Sequence, residues 1–138
     1  MATPVALLAT SVALMTMKTV RISDAEWEVM DLLWERSPRA TGEIVELLGA
    51  QSGWKTRTIR TLLERLAQKG AVKVLADGRR EFVPAVTRQA CIRQESRSFI
   101  QKVFRGEPAS FLLHLIKETK LSREEIDRLK QLLSEKEK

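Results

Sequence analysis

Hydrophobic residues recur at helical spacing from residue 24 onward. Ser23 and Glu26 have the spacing of a capping box, in which each side chain binds the other residue's backbone N–H. The apolar residues that follow recur at three or four positions, as on one face of a helix: Trp27, Met30, Leu33 and Trp34. Pro38 cannot continue the helical hydrogen-bond ladder and stops the pattern. We therefore predict a helix over residues 24–36.

Two further helical patterns follow after short connections. Thr41 is placed to cap a short second helix, and Gly49 is the residue predicted to end it. A third helix is predicted over residues 57–69, with Gly70 after it. Its apolar stripe consists of Ile59, Leu62, Leu63 and Leu66. Three short helices with brief connections indicate a helix-turn-helix arrangement.

The pattern then changes to a period of two. Val72 and Val74 lie on either side of a polar residue, and a return strand over residues 81–83 is stopped by Pro84. The Asp77-Gly78 pair between the two strands is a hairpin turn signal. The predicted fold is therefore mainly α with a small β-hairpin, a winged helix-turn-helix over residues 18–86.

Helical spacing returns from residue 87 to residue 138. A long charged helix is predicted to end near Gly106, a second to begin at Pro108, and a third to begin after Leu121. Amphipathic helices of this kind have little core of their own. They must bury their apolar stripes against one another or against a partner chain.

The distribution of charge points to a local binding surface. The chain of 138 residues has a net charge of +6. Residues 18–48 carry four basic and seven acidic side chains, whereas residues 54–80 carry eight basic and two acidic ones. A concentrated positive block favours polyanionic partners such as nucleic acid.

The predicted third helix carries this basic block on its outward face. Arginine can bond a guanine edge with two donors or pair with phosphate, and threonine can contact phosphate or a thymine methyl group. We predict binding to double-stranded DNA, with the first turns of this helix in the major groove and two arginines at the tip of the wing. The predicted DNA-binding residues are Thr56, Arg57, Thr58, Arg60, Thr61, Arg65, Arg79 and Arg80. An ordinary solvated helix face, or a winged-helix module that docks an acidic protein, are the alternatives.

Three segments of the chain resemble the BlaI/MecI/CopY family of bacterial winged-helix repressors, which includes the penicillinase repressors. They are SDAEWEVMDLLWE, WKTRTIRTLLERLAQKG and DGRREFVPAVTRQA, and the resemblance runs from about Ile22 to the C-terminus. It implies a transcriptional repressor that acts as a homodimer on a palindromic operator. It also implies that Arg57, Thr58, Arg60 and Thr61 occupy the recognition positions, with the wing arginines on the DNA backbone.

The same resemblance implies a C-terminal helical dimerisation region over residues 87–138. The residues expected at the dimer contact are Phe99, Ile100, Val103, Phe104, Phe111, Leu112, Leu115, Ile126, Leu129 and Leu133. Members that respond to β-lactams are released by a regulatory protease at an Asn-Phe bond in the first of these helices. The aligned pair here is Ser98-Phe99, which keeps the phenylalanine and changes the residue before the bond.

Other chemistry finds little support in the sequence. Copper-responsive members of the family carry closely spaced C-terminal cysteines, whereas Cys91 is the only cysteine here, so we predict no metal site and no internal disulfide. His114, the single histidine, lies on an apolar stretch and is interpreted as a packing or interface residue. The glutamates have no accompanying nucleophile or phosphate loop, so no enzyme activity, cofactor or small-molecule substrate is predicted.

The first 17 residues, MATPVALLATSVALMTM, are apolar and uncharged. They lack the basic n-region of a signal peptide and make a poor spanning helix. An over-long start assignment, a membrane-directed leader of a membrane-associated regulator, and a disordered tail remain open. The expected location is cytoplasmic.

Overall fold

The computed structural model describes residues 20–76 and 80–138. The apolar leader and three residues at the predicted wing tip, Asp77, Gly78 and Arg79, lie outside the described residues. Within them the chain divides into two compact units, one ending at Glu95 and the other covering Ser96–Lys138.

The first helix, α1, covers Asp24–Glu35, and its capping box is confirmed. The backbone N–H of Ser23 donates to Glu26 Oε1 at 2.9 Å, and the N–H of Glu26 donates to Ser23 Oγ at 3.2 Å. Arg36 has extended backbone angles, so the helix ends one residue earlier than predicted. A two-residue strand, β1 at Arg39–Ala40, follows.

The second helix, α2, covers Thr41–Ser52, and both predictions for its ends were wrong. Thr41 is its first helical residue and makes no cap; its hydroxyl donates to the carbonyl of Arg80 at 3.4 Å. The helix runs through Gly49 and ends at Gly53, which has a φ of +68°. A helix interior tolerates a glycine at a modest cost, whereas the left-handed conformation that ends the helix favours glycine strongly.

Two glycines of the α2 segment should therefore respond in opposite directions to substitution by alanine. A Cβ at either position meets no atom within 4 Å, so only backbone conformation differs between them. We expect Gly53→Ala to lower the free energy of unfolding by about 1 kcal/mol, and Gly42→Ala, inside the helix, to raise it by about 0.5–1 kcal/mol. Urea denaturation measures both, and equal signs would contradict this account.

The third helix, α3, covers Thr56–Lys69 and is followed by the wing strands β2 at Val72–Ala76 and β3 at Arg80–Pro84. Together with β1 they form an antiparallel sheet in the order β1-β3-β2. Pro84 is the last residue of β3, opposite Val72, rather than the residue that stops the strand. The winged helix-turn-helix is thus confirmed, with one short strand that the sequence pattern did not predict.

One hydrophobic core holds the three helices against the sheet. It contains residues from α1, α2, α3, β2 and β3, and also Cys91 from the helix that follows the wing. Trp27 and Trp34 pack edge to face on it with ring centroids 5.5 Å apart. The indole N–H of Trp34 donates to the carbonyl of Val86 at 3.0 Å, which attaches the segment after the wing to α1.

Three helices follow the wing: α4 at Arg88–Val103, α5 at Pro108–Glu118 and α6 at Arg123–Glu137. In the second unit, Phe99, Phe104 and Phe111 form a cluster with ring centroids 5.2–5.9 Å apart. Not one side chain from Ser96 to Lys138 is buried. Across residues 20–76 and 80–138, no helix is long and apolar enough to cross a membrane.

Candidate nucleic-acid interface

Helix α3 presents one buried and one exposed face. Its apolar residues Ile59, Leu62, Leu63 and Leu66 are all in the core, as the sequence predicts. At about 100° per residue, Arg57 and Thr61 lie near the middle of the opposite face, whereas Arg60 lies on one flank, about 60° from Leu63. Thr58 and Arg65 lie on the other flank. The predicted recognition residues therefore face solvent but do not share a single direction.

The N-terminus of α3 lacks the capping boxes that stabilise the starts of α1 and α6. Its N-cap, Lys55, makes no side-chain hydrogen bond, and its first turn contains no acidic residue. By contrast, α1 and α6 each begin with a Ser-Glu capping box. The first backbone N–H groups of α3 and the positive end of its dipole are therefore directed at solvent, where they favour an anion.

Within residues 20–76 and 80–138, the arginines on this surface have no carboxylate partner. Among the ion pairs of residues 20–76 and 80–138, none includes Arg57, Arg60, Arg65 or Arg80. The hydroxyl of Thr61 donates to the carbonyl of Arg57 at 3.0 Å, which fixes the threonine side chain. Its methyl group and oxygen lone pairs remain available to a partner.

A cleft of about 340 Å³ lies between α3, the start of α2 and β3. Leu63 and Phe82 are the buried apolar residues that line it. The guanidinium carbon of Arg80 lies 6.0 Å from the centre of the Phe82 ring, within the range of a cation–π contact. The remaining residues that line the cleft are Thr41, Arg60 and Glu64.

A buried ion pair anchors the C-terminal end of α3. Lys69 Nζ donates to Glu26 Oε1 and, at 2.7 Å, to the carbonyl of Arg21. Burial alone would raise the pKa of Glu26, but the hydrogen bonds from Lys69 and Ser23 and the charge of Lys69 bring the pKa below its ordinary value. The other carboxylate oxygen, Oε2, is buried without a partner. The sequence identified Glu26 only as a capping residue, because nothing local indicates a partner 43 positions away.

Arg39 links the helix-turn-helix to the wing and was also not predicted. It is 5% exposed, and its Nε donates to the carbonyl of Leu32 near the end of α1 at 3.0 Å. Its guanidinium also pairs with Glu43 in the first turn of α2, and its backbone lies in β1 opposite Phe82 of β3. One side chain thus contacts α1 and α2 while its own strand pairs with the wing.

The residues predicted for dimerisation all lie in the second unit, and none of them is buried. Val103, Leu112, Leu115 and Leu133 are exposed, as is Phe99, whereas the others are half-buried: Ile100, Phe104, Phe111, Ile126 and Leu129. Leu113, which the sequence pattern did not single out, is also exposed. His114 lies beside Phe104 with ring centroids 6.1 Å apart.

The predicted cleavage pair and the single cysteine both lie on α4. Ser98 and Phe99 are inside the helix, with Phe99 42% exposed. Cys91 is buried, and burial raises the pKa of its thiol, which disfavours the reactive thiolate. Within the described part of the chain, no group of histidine, cysteine and acidic residues is placed to hold a metal ion.

Comparison with known proteins extends these observations. The family model described as penicillinase repressor matches residues 22–135. The methicillin resistance regulatory protein MecI of Staphylococcus aureus strain N315 is 34% identical over 120 residues, covering 86% of this chain and 98% of MecI. The penicillinase repressor of Bacillus licheniformis is 37% identical over 119 residues, covering 86% of this chain and 93% of the repressor. The solution structure of the DNA-binding domain of the repressor BlaI is 36% identical with a TM-score of 0.48, and the match covers 51% of this chain and 88% of that domain.

Proposed function

This chain belongs to the penicillinase repressor family, and we propose that it is a DNA-binding transcriptional repressor rather than an enzyme. The observation that carries the proposal is the exposed face of α3. There, several arginines that pair with no carboxylate of the described residues lie near a helix N-terminus that has no side-chain cap and no acidic residue in its first turn. Such a surface satisfies its unpaired donors when the helix enters the major groove N-terminal end first.

The middle of the exposed face is proposed to read bases. Arg57 can bond the O6 and N7 atoms of guanine with two donors, and Thr61 can place its methyl group on thymine. Thr56 and Thr58, about 100° to either side of Arg57, and Arg65, about two turns beyond Arg57, are proposed to contact bases or phosphates. Arg79 and Arg80 are proposed to contact the DNA backbone from the wing.

Substitution of Arg57 tests this assignment. We expect Arg57→Ala to weaken binding to the preferred DNA sequence by about 1–3 kcal/mol and to relax selectivity at one base position. Fluorescence anisotropy with a duplex selected by the wild-type protein from a random library measures the effect. Arg93→Ala removes the same charge from an exposed position on α4 and is the matched control. Undiminished, equally selective binding by Arg57→Ala would rule out this role.

Salt titration separates DNA binding from the docking of an acidic protein. A DNA-binding surface releases counterions, so the logarithm of the association constant should fall steeply and linearly with the logarithm of salt concentration. Absence of binding to both selected and random duplexes at low salt would instead favour a protein partner.

We further propose that the repressor acts as a homodimer on a palindromic operator. The second unit buries none of its own side chains, and helical segments this short rarely fold without oligomerisation. A second copy would cover the exposed leucines of α5 and α6. It would also place a second α3 on the DNA, because one recognition helix reads too few base pairs for useful selectivity.

Release from DNA is proposed to follow cleavage in the second unit by a regulatory protease, at Ser98-Phe99. Phe99 packs on both Phe104 and Phe111, and all three lie on the C-terminal side of the bond, so cleavage would separate the whole aromatic cluster from the part of α4 that continues into the first unit. Mass spectrometry of the protein recovered from induced cells tests the proposal. A fragment beginning at Phe99 is expected, and an intact chain in cells that have lost repression would contradict it.

A further inference from the structure

We propose that the cleft between α3 and the wing seats a phosphodiester of the DNA backbone, and that Arg60 grips this phosphate instead of reading a base. The inference rests on the proposed function, and it assigns different tasks to two arginines of the same helix. Arg57, in the middle of the exposed face, sets selectivity, while Arg60, on the flank toward β3, sets affinity for any sequence.

The position of Arg60 separates it from the base-reading residues. It lies about 60° around α3 from Arg57 and about 60° from the buried Leu63, which lines the cleft. Thr58 lies about 160° away, on the opposite flank. When the middle of the face points into the major groove, a flank points at one of the two strands that border the groove.

The cleft gathers groups that suit a phosphodiester. Arg60 from α3 and Arg80 from β3 both line it, and neither pairs with a carboxylate among the described residues. Thr41 lines it from the first turn of α2, and its hydroxyl donates to the carbonyl of Arg80. Leu63 and Phe82 supply an apolar floor on which the deoxyribose ring can rest.

Among the described residues that line the cleft, Glu64 is the one acidic side chain. It lies one turn beyond Arg60 on α3 but forms no ion pair with it among the described residues. The negative charge of the Glu64 carboxylate repels a phosphate in the cleft, so removal of this charge should strengthen binding to DNA. The cleft therefore predicts effects of opposite sign from two neighbouring residues, which loss of folding cannot imitate.

The test compares two DNA probes and two substitutions in the full-length protein. The probes are a duplex selected from a random library by the wild type and an unrelated duplex of equal length. Arg60→Gln is expected to weaken binding to both by the same factor, about tenfold, and to lower the salt slope by about 1. Glu64→Gln is expected to strengthen binding to both. A loss confined to the selected duplex would overturn the proposal by making Arg60 a base reader.

Replacement of single phosphates by an uncharged group identifies the phosphate that Arg60 contacts. Methylphosphonate groups, which lack the negative charge, are placed one at a time along the selected duplex, and each position that the protein contacts should weaken the wild type. At one of these positions per half-site the same replacement should cost Arg60→Gln clearly less affinity than it costs the wild type, while the matched control Arg65→Gln should lose as much as the wild type. Equal losses at every position in both variants would refute a phosphate held by Arg60. A wild type that binds neither duplex would instead defeat the proposed function itself.

Discussion

The double variant Leu112→Glu/Leu133→Glu is expected to sediment as a monomer and to bind its selected operator at least about 100-fold more weakly than the wild type. Leu112 on α5 and Leu133 on α6 are 48% and 54% exposed in the isolated chain. A glutamate at either position costs the single chain little because the side chain stays in water. In a dimer the same carboxylates would be buried without a partner, which is far more costly.

The loss of affinity follows from the loss of the second half-site. A monomer keeps one α3 and one wing, so it retains roughly half of the phosphate contacts and half of the base contacts. Analytical ultracentrifugation and fluorescence anisotropy measure the two effects on the same samples. The matched control, Gln101→Glu/Gln131→Glu, adds two negative charges at exposed polar positions of the same unit. If the double leucine variant stays dimeric and binds the operator like the wild type, the proposed role of residues 87–138 in dimerisation is wrong.

Replacement of Lys69 by methionine is expected to lower the free energy of unfolding by about 3 kcal/mol at neutral pH. Glu26 is 1% exposed, and among the described residues Lys69 supplies the only positive charge that pairs with it. Methionine keeps most of the aliphatic contact but leaves the carboxylate buried without a cation. The expected value lies at the lower end of the range for broken buried pairs because the Lys69 side chain is 34% exposed.

The pH dependence distinguishes this mechanism from a loss of packing. In the wild type the pKa of Glu26 is lowered, so its contribution is present above the ordinary value of 4.5 and disappears as pH falls through the lowered pKa. In Lys69→Met the buried carboxyl group should instead have a raised pKa. As pH falls and this group takes up a proton, the difference in the free energy of unfolding between the variant and the wild type should therefore become smaller.

Urea denaturation at several pH values measures both effects, and Glu26→Gln/Lys69→Met is the informative control. A neutral amide can still accept the hydrogen bond from the Ser23 N–H, so the double variant should be more stable than Lys69→Met alone near neutral pH. A deficit in Lys69→Met that stays constant with pH would point to packing rather than charge.

The sequence predicted best where the signal was periodic and local. The stripe of α3 is confirmed at every position because each of its residues falls on the same side of a 3.6-residue repeat. The capping box at Ser23 is confirmed for the same reason, since its two partners are three residues apart.

The features that the sequence did not predict depend on contacts between distant segments. Strand β1 has two residues, too few to show a period, and exists because Arg39 and Ala40 pair with Phe82 and Glu81. The pair Lys69–Glu26 joins the end of one helix to the start of another, which no window of sequence contains. Gly49 and Gly53 are equally good local candidates for a helix end, and the backbone takes the left-handed conformation only at Gly53.

In the candidate site, the sequence predicted which residues would contact DNA. It did not predict which of those on α3 would read bases and which would contact a phosphate. Arginine and threonine at the start of α3 indicate DNA contact whichever way they point. The cleft beside Arg60 arises because β3 lies against the flank of α3, and Arg80 and Phe82 enter it from a strand about 20 residues further along the chain. Only the folded arrangement distinguishes a flank that borders the wing from a flank that does not.

The pairing of strand β1 with the wing bears on how a DNA duplex must deform to contact both α3 and the wing. Strand β1 runs directly into α2 and pairs with β3, and Arg39 donates a hydrogen bond to the end of α1, so strand β3 is linked to the helices through β1. If α3 enters the major groove as proposed, this link limits how far the distance between α3 and β3 can change, and a misfit is then absorbed by bending or twisting of the duplex. Flexible base steps between the two contacts would then be favoured, and selectivity would extend to base pairs that no side chain touches.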